Sequence, residues 1–211
     1  MEFGAAIWPF QWTPPYEDGI KRLAKLGFKN VELIAWDRET LDSYYTPERI
    51  RSLKQLVADQ GMTISEFVHS PAGAADPDAT RRRQAVEGFK RACDVAVALG
   101  TGIINSVVPT PFGLPMPRMQ DMPLQQELSV DIPRGLNWAE GYDQYVDTLR
   151  QLVAVCAQND LRYALEMSKF YNFVLKDWKG LHTEVGFIPS LKGWENEPYT
   201  KDLPWLPLQM E

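Results

Sequence analysis

The chain has 211 residues, 45% of them hydrophobic and 24% charged, with a formal net charge of −6. That composition suits one globular domain with a buried core, and the acidic balance excludes a basic nucleic-acid-binding face. No stretch approaches the about 20 consecutive apolar residues of a membrane span, and the opening MEFGAAIWPF is too short and too acidic for a signal peptide, so a cytoplasmic protein is expected.

In chain order, the first element is an apolar strand over residues 2–8, ending at Trp8. A helix over 15–26 follows, with Ile20, Leu23, Ala24 and Leu26 as its apolar stripe, and Gly27 stands where a helix C-terminus turns left-handed. The second strand, 29–35, contains NVELIA. Thr46-Pro47-Glu48 opens the next helix, 46–60, with a capping hydroxyl, a proline at the first position and an early acid. Gly61 ends it, and TISEFV forms a third strand over 62–68. A longer helix over 79–98 carries Arg81-Arg82-Arg83 on a solvated face and ends at Gly100 before a fourth strand, 102–107. From Pro109 to Asn137 the chain has six prolines and no strong periodicity, which marks a long loop. A helix over 139–158, with Asn159-Asp160 in place of the capping glycine, leads to a fifth strand, RYALEM, over 161–167. Cys93 and Cys156 both fall in helical patterns and read as buried free thiols.

Short apolar strands without clean alternation suit a parallel sheet covered on both faces, and strands alternating with helices indicate βαβ units. An open doubly wound sheet and a closed barrel both fit that order. The dinucleotide-binding G-x-G-x-x-G is absent after the first strand, and Gly100-Thr101-Gly102 precedes a strand instead of following one, so the barrel is favoured. Eight such units usually take roughly 250 residues. The expected architecture is therefore α/β: an incomplete (β/α) TIM-type barrel over residues 1–167, then an irregular tail over 168–211 with Trp178, Trp194 and Trp205 and one candidate strand, Leu181–Pro189.

Catalytic groups in such barrels sit at the C-terminal ends of strands. Glu166 is the leading candidate, because a carboxylate ending an apolar strand loses hydration unless a cation meets it, and the same group can move protons. His69, ending ISEFVH, can ligate a metal or bond a sugar hydroxyl as neutral imidazole. Glu32 and Glu66 each stand five residues after a capping glycine and either line the barrel mouth or plug its interior. Trp8 and Trp36 serve either as apolar walls for a sugar ring or as ordinary packing, and Asn105 offers an amide for hydroxyl recognition. In the tail, His182 and Glu184 would point the same way on a strand; they form either a metal pair with Glu166 or part of a surface strand.

NVELIAWD, ISEFVHSPAG and NWAEGYDQYVDTLRQLVAVCAQNDLRYALEM together resemble the xylose isomerase-like barrel superfamily, over roughly residues 2–167. The resemblance implies a fifth-strand carboxylate, here Glu166, that binds Mn²⁺, Mg²⁺, Co²⁺ or Zn²⁺, with an Asp or Glu, a His and a final Glu supplied by later strands. It implies an isomerase or epimerase of a small sugar or sugar phosphate, working by proton transfer next to a carbonyl. No convincing sixth, seventh or eighth unit follows. The competing expectation is thus a non-catalytic partial barrel that binds a ligand or self-associates through its exposed sheet edges.

Overall fold

A computed structural model describes residues 4–109, 111–113 and 135–166. The described elements, in order, are β1 (Gly4–Ala6), α1 (Glu17–Lys25), β2 (Asn30–Ile34), α2 (Arg38–Ser43), α3 (Pro47–Asp59), β3 (Thr63–Val68), α4 (Ala79–Leu99), β4 (Ile103–Val107), a 3₁₀ turn (Pro111–Gly113), α5 (Trp138–Gln158) and β5 (Arg162–Glu166). The five strands form one sheet in the order β1-β2-β3-β4-β5, and every neighbouring pair is parallel. Consecutive strands joined by helices and paired side by side make up part of a TIM-type barrel wall. The tail beyond Met167, including Leu181–Pro189, His182 and Glu184, lies outside the described residues, as does most of the Pro109–Asn137 loop.

The caps explain why the helices fall where the periodicity places them. Thr46 accepts the Arg49 amide and Pro47 takes the first helical position of α3. Asp78 caps α4, and Asn137 caps α5. Gly100 ends α4 at φ 83°, a conformation in which a Cβ would be strained. At the end of α5 the left-handed residue is Asp160, φ 55°, not Asn159, although the same break results.

Two elements depart from the sequence reading. Helix α2 is not among the expected elements; Asp37 caps it by accepting the Thr40 amide at 2.7 Å. Strand β1 stops at Ala6, and the Phe10 and Gln11 amides both turn back to the Ile7 carbonyl. Trp8 therefore stands in a turn beyond the strand instead of ending it.

The register divides the sheet into two faces. Ala6 pairs with Glu32, Val68 with Asn105, and Val107 with Glu166. These residues and their alternates make the inner face. The outer face, with Ile7, Val31, Leu33, Phe67 and Ile104, packs beneath Ile20, Leu23, Leu53, Phe89 and Leu152 of the helices. Aromatic contacts bind the two layers: Tyr45 meets Phe67 edge-on at 5.2 Å, and Phe89 meets Tyr163 at 5.9 Å. The Tyr45 hydroxyl donates to the Ile34 carbonyl at 2.8 Å, which satisfies a buried phenol. Cys93 and Cys156 are both free and buried, on α4 and α5.

Candidate active site

One irregularity in the sheet sets the inner face. Between β2 and β3 the register shifts: Val31 pairs with Ile64, but Glu32 pairs with Glu66, so Ser65 is the extra residue of a bulge. With regular pairing Glu32 would face Ser65. The bulge instead sets two carboxyls side by side, half-buried on one face. Burial pushes the Glu32 carboxyl up to about 8, and the hydrogen bond to Glu66, the charge of Glu66 and the charge of Glu166 add to the effect. At neutral pH Glu32 therefore keeps its proton and donates it towards Glu66, because two adjacent carboxylates in a poorly solvated place resist joint ionisation.

Asn105 sits on the same face, between Val68 and Ala164 in the ladder. It is only 8% exposed, and its Oδ1 is buried without a hydrogen-bond partner. Beyond the ends of β1 and β2, three tryptophans meet. Trp12 stacks on Trp36 with ring centroids 4.4 Å apart, Trp8 meets Trp12 edge-on at 6.0 Å, and the Trp36 indole N–H donates to the Trp12 carbonyl at 3.0 Å. Sequence reasoning had paired Trp8 with Trp36 and missed Trp12, the ring that joins them. Its position four residues after Trp8, in a Pro-rich connection at the catalytic end, was the available signal.

His69 lies at the same end of the sheet but on the other face. Its ring stacks against Phe89 of α4 at 6.4 Å, and its Nδ1 lies 2.8 Å from the Ala35 carbonyl. Since a carbonyl only accepts, Nδ1 carries the proton. Burial holds its pKa below the usual histidine value, opposed by the Ala35 hydrogen bond, so the ring is neutral. Thus the sheet brings Glu32, Glu66, Asn105 and Glu166 to one face and sets His69 apart, behind Val68. His69 instead borders a groove of about 840 Å³ with Trp36, Asp37, Ser70 and Arg83 on the outer side of the rim. Among the described residues, the inner face is made by five strands, part of a barrel's circumference.

The family described as xylose isomerase-like TIM barrel matches residues 20–191. The chain belongs to this family. A search among curated proteins finds no match. Among solved structures, the chain is similar to D-psicose 3-epimerase from Clostridium cellulolyticum H10, determined with D-tagatose, at 18% identity and a TM-score of 0.57, covering 78% of this chain and 52% of that one. A D-psicose 3-epimerase in the presence of D-fructose gives 17% identity and a TM-score of 0.60, with 83% and 56% covered. A xylose isomerase-like TIM barrel protein from Mycobacterium smegmatis in complex with magnesium gives 17% and 0.57, with 80% and 55% covered. At such identities the likeness shows the fold, and the chain spans about half the length of these structures.

Metal binding in the xylose isomerase-like family raises the question of donors here. Among the described residues no three His, Cys, Asp or Glu side chains converge closely enough to hold a metal ion. Glu166 offers one carboxylate, whereas Glu32 and Glu66 are engaged with each other. The described residues therefore do not by themselves fit a metal centre. Nor is any described helix long and apolar enough to cross a membrane.

Proposed function

We propose that this chain forms the first five strands of a sugar isomerase or epimerase site, acting on a small sugar or sugar phosphate by proton transfer next to a carbonyl. The observation that carries this reading is the inner face itself. A strand-end carboxyl, Glu166, shares a face with a carboxyl that holds its proton, Glu32, and with a buried unpartnered amide oxygen, Asn105, and a stack of indole rings follows the ends of β1 and β2. A carboxyl that holds its proton on the same face as a second, strand-end carboxyl group is apparatus for acid–base chemistry on a carbonyl compound. In this reading Glu166 removes the proton from the carbon beside the carbonyl and an enediolate forms. The indole faces of Trp8, Trp12 and Trp36 cover the apolar side of the sugar and exclude water.

The family's metal enters this reading only through Glu166, the carboxylate to which the resemblance assigns it; Mn²⁺, Mg²⁺, Co²⁺ and Zn²⁺ are the candidates, and His182 and Glu184 remain proposed donors. Glu166→Gln tests both roles, since a neutral amide is a weaker ligand for hard divalent ions and a poor base. Calorimetric titration with Mn²⁺ and a ketose epimerisation assay on both proteins should show weaker ion binding and lost turnover in the variant. Equal Mn²⁺ binding by both would remove Glu166 from metal binding. Absence of turnover in the wild type across a panel of ketoses and their phosphates would leave a ligand-binding or self-associating module, whose edge strands among the described residues, β1 and β5, are suited to pairing with a second copy.

A further inference from the structure

The chain has only two cysteines, Cys93 and Cys156, and the fold brings both to one seam. Cys93 lies on the buried stripe of α4 with Phe89, Ala92 and Ala96. Cys156 lies in the last turn of α5, beside the buried Leu152 and Val155. The two helices pack against each other, and the Cys93 thiol donates a hydrogen bond to the Cys156 sulfur across the contact. Cys93 is 0% exposed and Cys156 1%. A buried cysteine ordinarily serves as a small apolar side chain, and packing alone does not require two sulfurs to meet. Two thiols facing one another are also the starting arrangement of a disulfide.

The two sulfurs are not equivalent. The hydrogen bond from Cys93 holds the Cys156 thiol below its usual value, against the effect of burial. The same bond, followed by burial, pushes Cys93 up. The thiolate is the reactive form, so Cys156 reacts first and Cys93 resolves. Cys156 is also the easier of the two to reach. Its neighbours Ala157 and Gln158 are exposed, and the helix stops there, with the Asn159 and Leu161 amides both turning back to the Cys156 carbonyl at 2.9 Å. Helix ends open locally at little cost, which admits a small oxidant to a side chain that is buried at rest.

We propose that Cys93 and Cys156 form an oxidisable dithiol that a peroxide converts reversibly into a disulfide, stapling α4 to α5. The Cys156 thiolate attacks one peroxide oxygen and the O–O bond breaks. The leaving hydroxide takes up the proton that Cys156 released, giving water and a sulfenic acid on Cys156. The Cys93 sulfur then attacks the Cys156 sulfur and the S–O bond breaks. The departing hydroxide takes the Cys93 proton as a second water. The two sulfurs lose two electrons between them and the peroxide gains both. A disulfide holds its sulfurs about 2 Å apart, so the hydrogen-bonded thiols close the remaining gap by side-chain rotation and a small approach of the helices. Through the Leu161 amide on the Cys156 carbonyl, the staple also fixes the entry to β5, the strand that ends at Glu166. A small thiol reverses the step by exchange.

The test is to treat the folded full chain with hydrogen peroxide, alkylate the remaining thiols in denaturant and map the peptides without reduction. The expected product is a peptide pair joined through Cys93 and Cys156, which dithiothreitol separates. Because the bond closes a long loop of the unfolded chain, the thermal midpoint of the oxidised protein should rise by about 5 °C or more and return on reduction. Cys93→Ala removes the resolving thiol, so peroxide should carry Cys156 on to the sulfinic acid. Should that variant fail to fold, the oxidised and reduced wild type carry the test alone. Two thiols still open to alkylation after peroxide treatment overturn the proposal. So do a sulfinic acid at Cys156 beside a free Cys93 in the wild type, a disulfide between two copies of the chain, and a Cys93–Cys156 bond that leaves the midpoint unchanged. None of these outcomes depends on the isomerase reading.

Discussion

Replacing Glu32 by Gln should stabilise the protein at alkaline pH and leave it nearly unchanged near pH 5. In the folded chain the Glu32 carboxyl is pushed from 4.5 up to about 8, chiefly by burial and then by Glu66 and Glu166. The folded state thus holds a proton that the unfolded chain gives up, and stability from this group is fully present below about pH 4.5 and is lost as pH rises towards 8. At about 1.4 kcal/mol per pH unit the upper bound on that loss is ~5 kcal/mol. Glu32 is only half-buried and shares its proton with Glu66, so solvent screening and the common proton reduce the expected loss to ~2–3 kcal/mol. Glutamine keeps the shape and a donor for Glu66 but cannot ionise. Urea unfolding of both proteins at pH 5 and pH 8.5 should therefore give curves within ~1 kcal/mol of each other at the lower pH. The variant should be more stable by ~2–3 kcal/mol at the higher one. A difference between the two proteins that does not change with pH would refute the shared-proton account of the Glu32–Glu66 pair.

Phe89→Ala should cost ~3–5 kcal/mol in denaturant unfolding, because Phe89 is fully buried and supports both the His69 ring and Tyr163; a loss under ~1 kcal/mol would mean that α4 repacks freely. Gly141→Ala should loosen the Pro111–Gly113 turn, since the new Cβ would come within 2.6 Å of the Phe112 ring. Hydrogen exchange should rise at Phe112 and Gly113 and stay unchanged in β4, and unaltered exchange at the turn would show that the ring swings aside without consequence. Trp12→Ala should abolish the near-ultraviolet circular dichroism of the Trp12–Trp36 stack and, on the proposed function, weaken sugar binding; an unchanged spectrum would mean that the signal does not arise from that stack.

The local features of the fold were legible from the chain because they are decided by neighbours in sequence. Thr46-Pro47-Glu48 places the start of α3, Gly100 places the end of α4, and the strands after each cap emerge within a residue or two of their expected bounds. Helix α2 was missed for the same local reason in reverse. Its six residues, RETLDS, are too short to show helical periodicity, and Asp37, which caps it, is the one local signal. Strand β1 was overestimated because AAIW is apolar throughout, although pairing ends where the chain turns back on Ile7.

The composition of the site was visible in the sequence, but its arrangement was not. Residue types at strand ends single out Glu32, Asn105 and Glu166 wherever a parallel barrel forms, since side-chain alternation and strand direction follow from the backbone. Which of them share a face depends on pairing between strands distant in sequence. The bulge at Ser65, which turns Glu66 towards Glu32, is a property of the β2–β3 ladder and has no signature in either strand alone. His69 and Glu166 both end strands, and only the cross-strand register, with His69 stacked on Phe89 and Glu166 opposite Val107, assigns them to opposite faces. The raised pKa of Glu32 likewise arises from burial and from carboxyls on two other strands. Sequence by itself determined where helices and strands begin and end and which acids stand at the catalytic end, because caps and apolar periodicity act over a few residues; only the tertiary structure decided which acids meet, because side-chain charges and shared protons act through space.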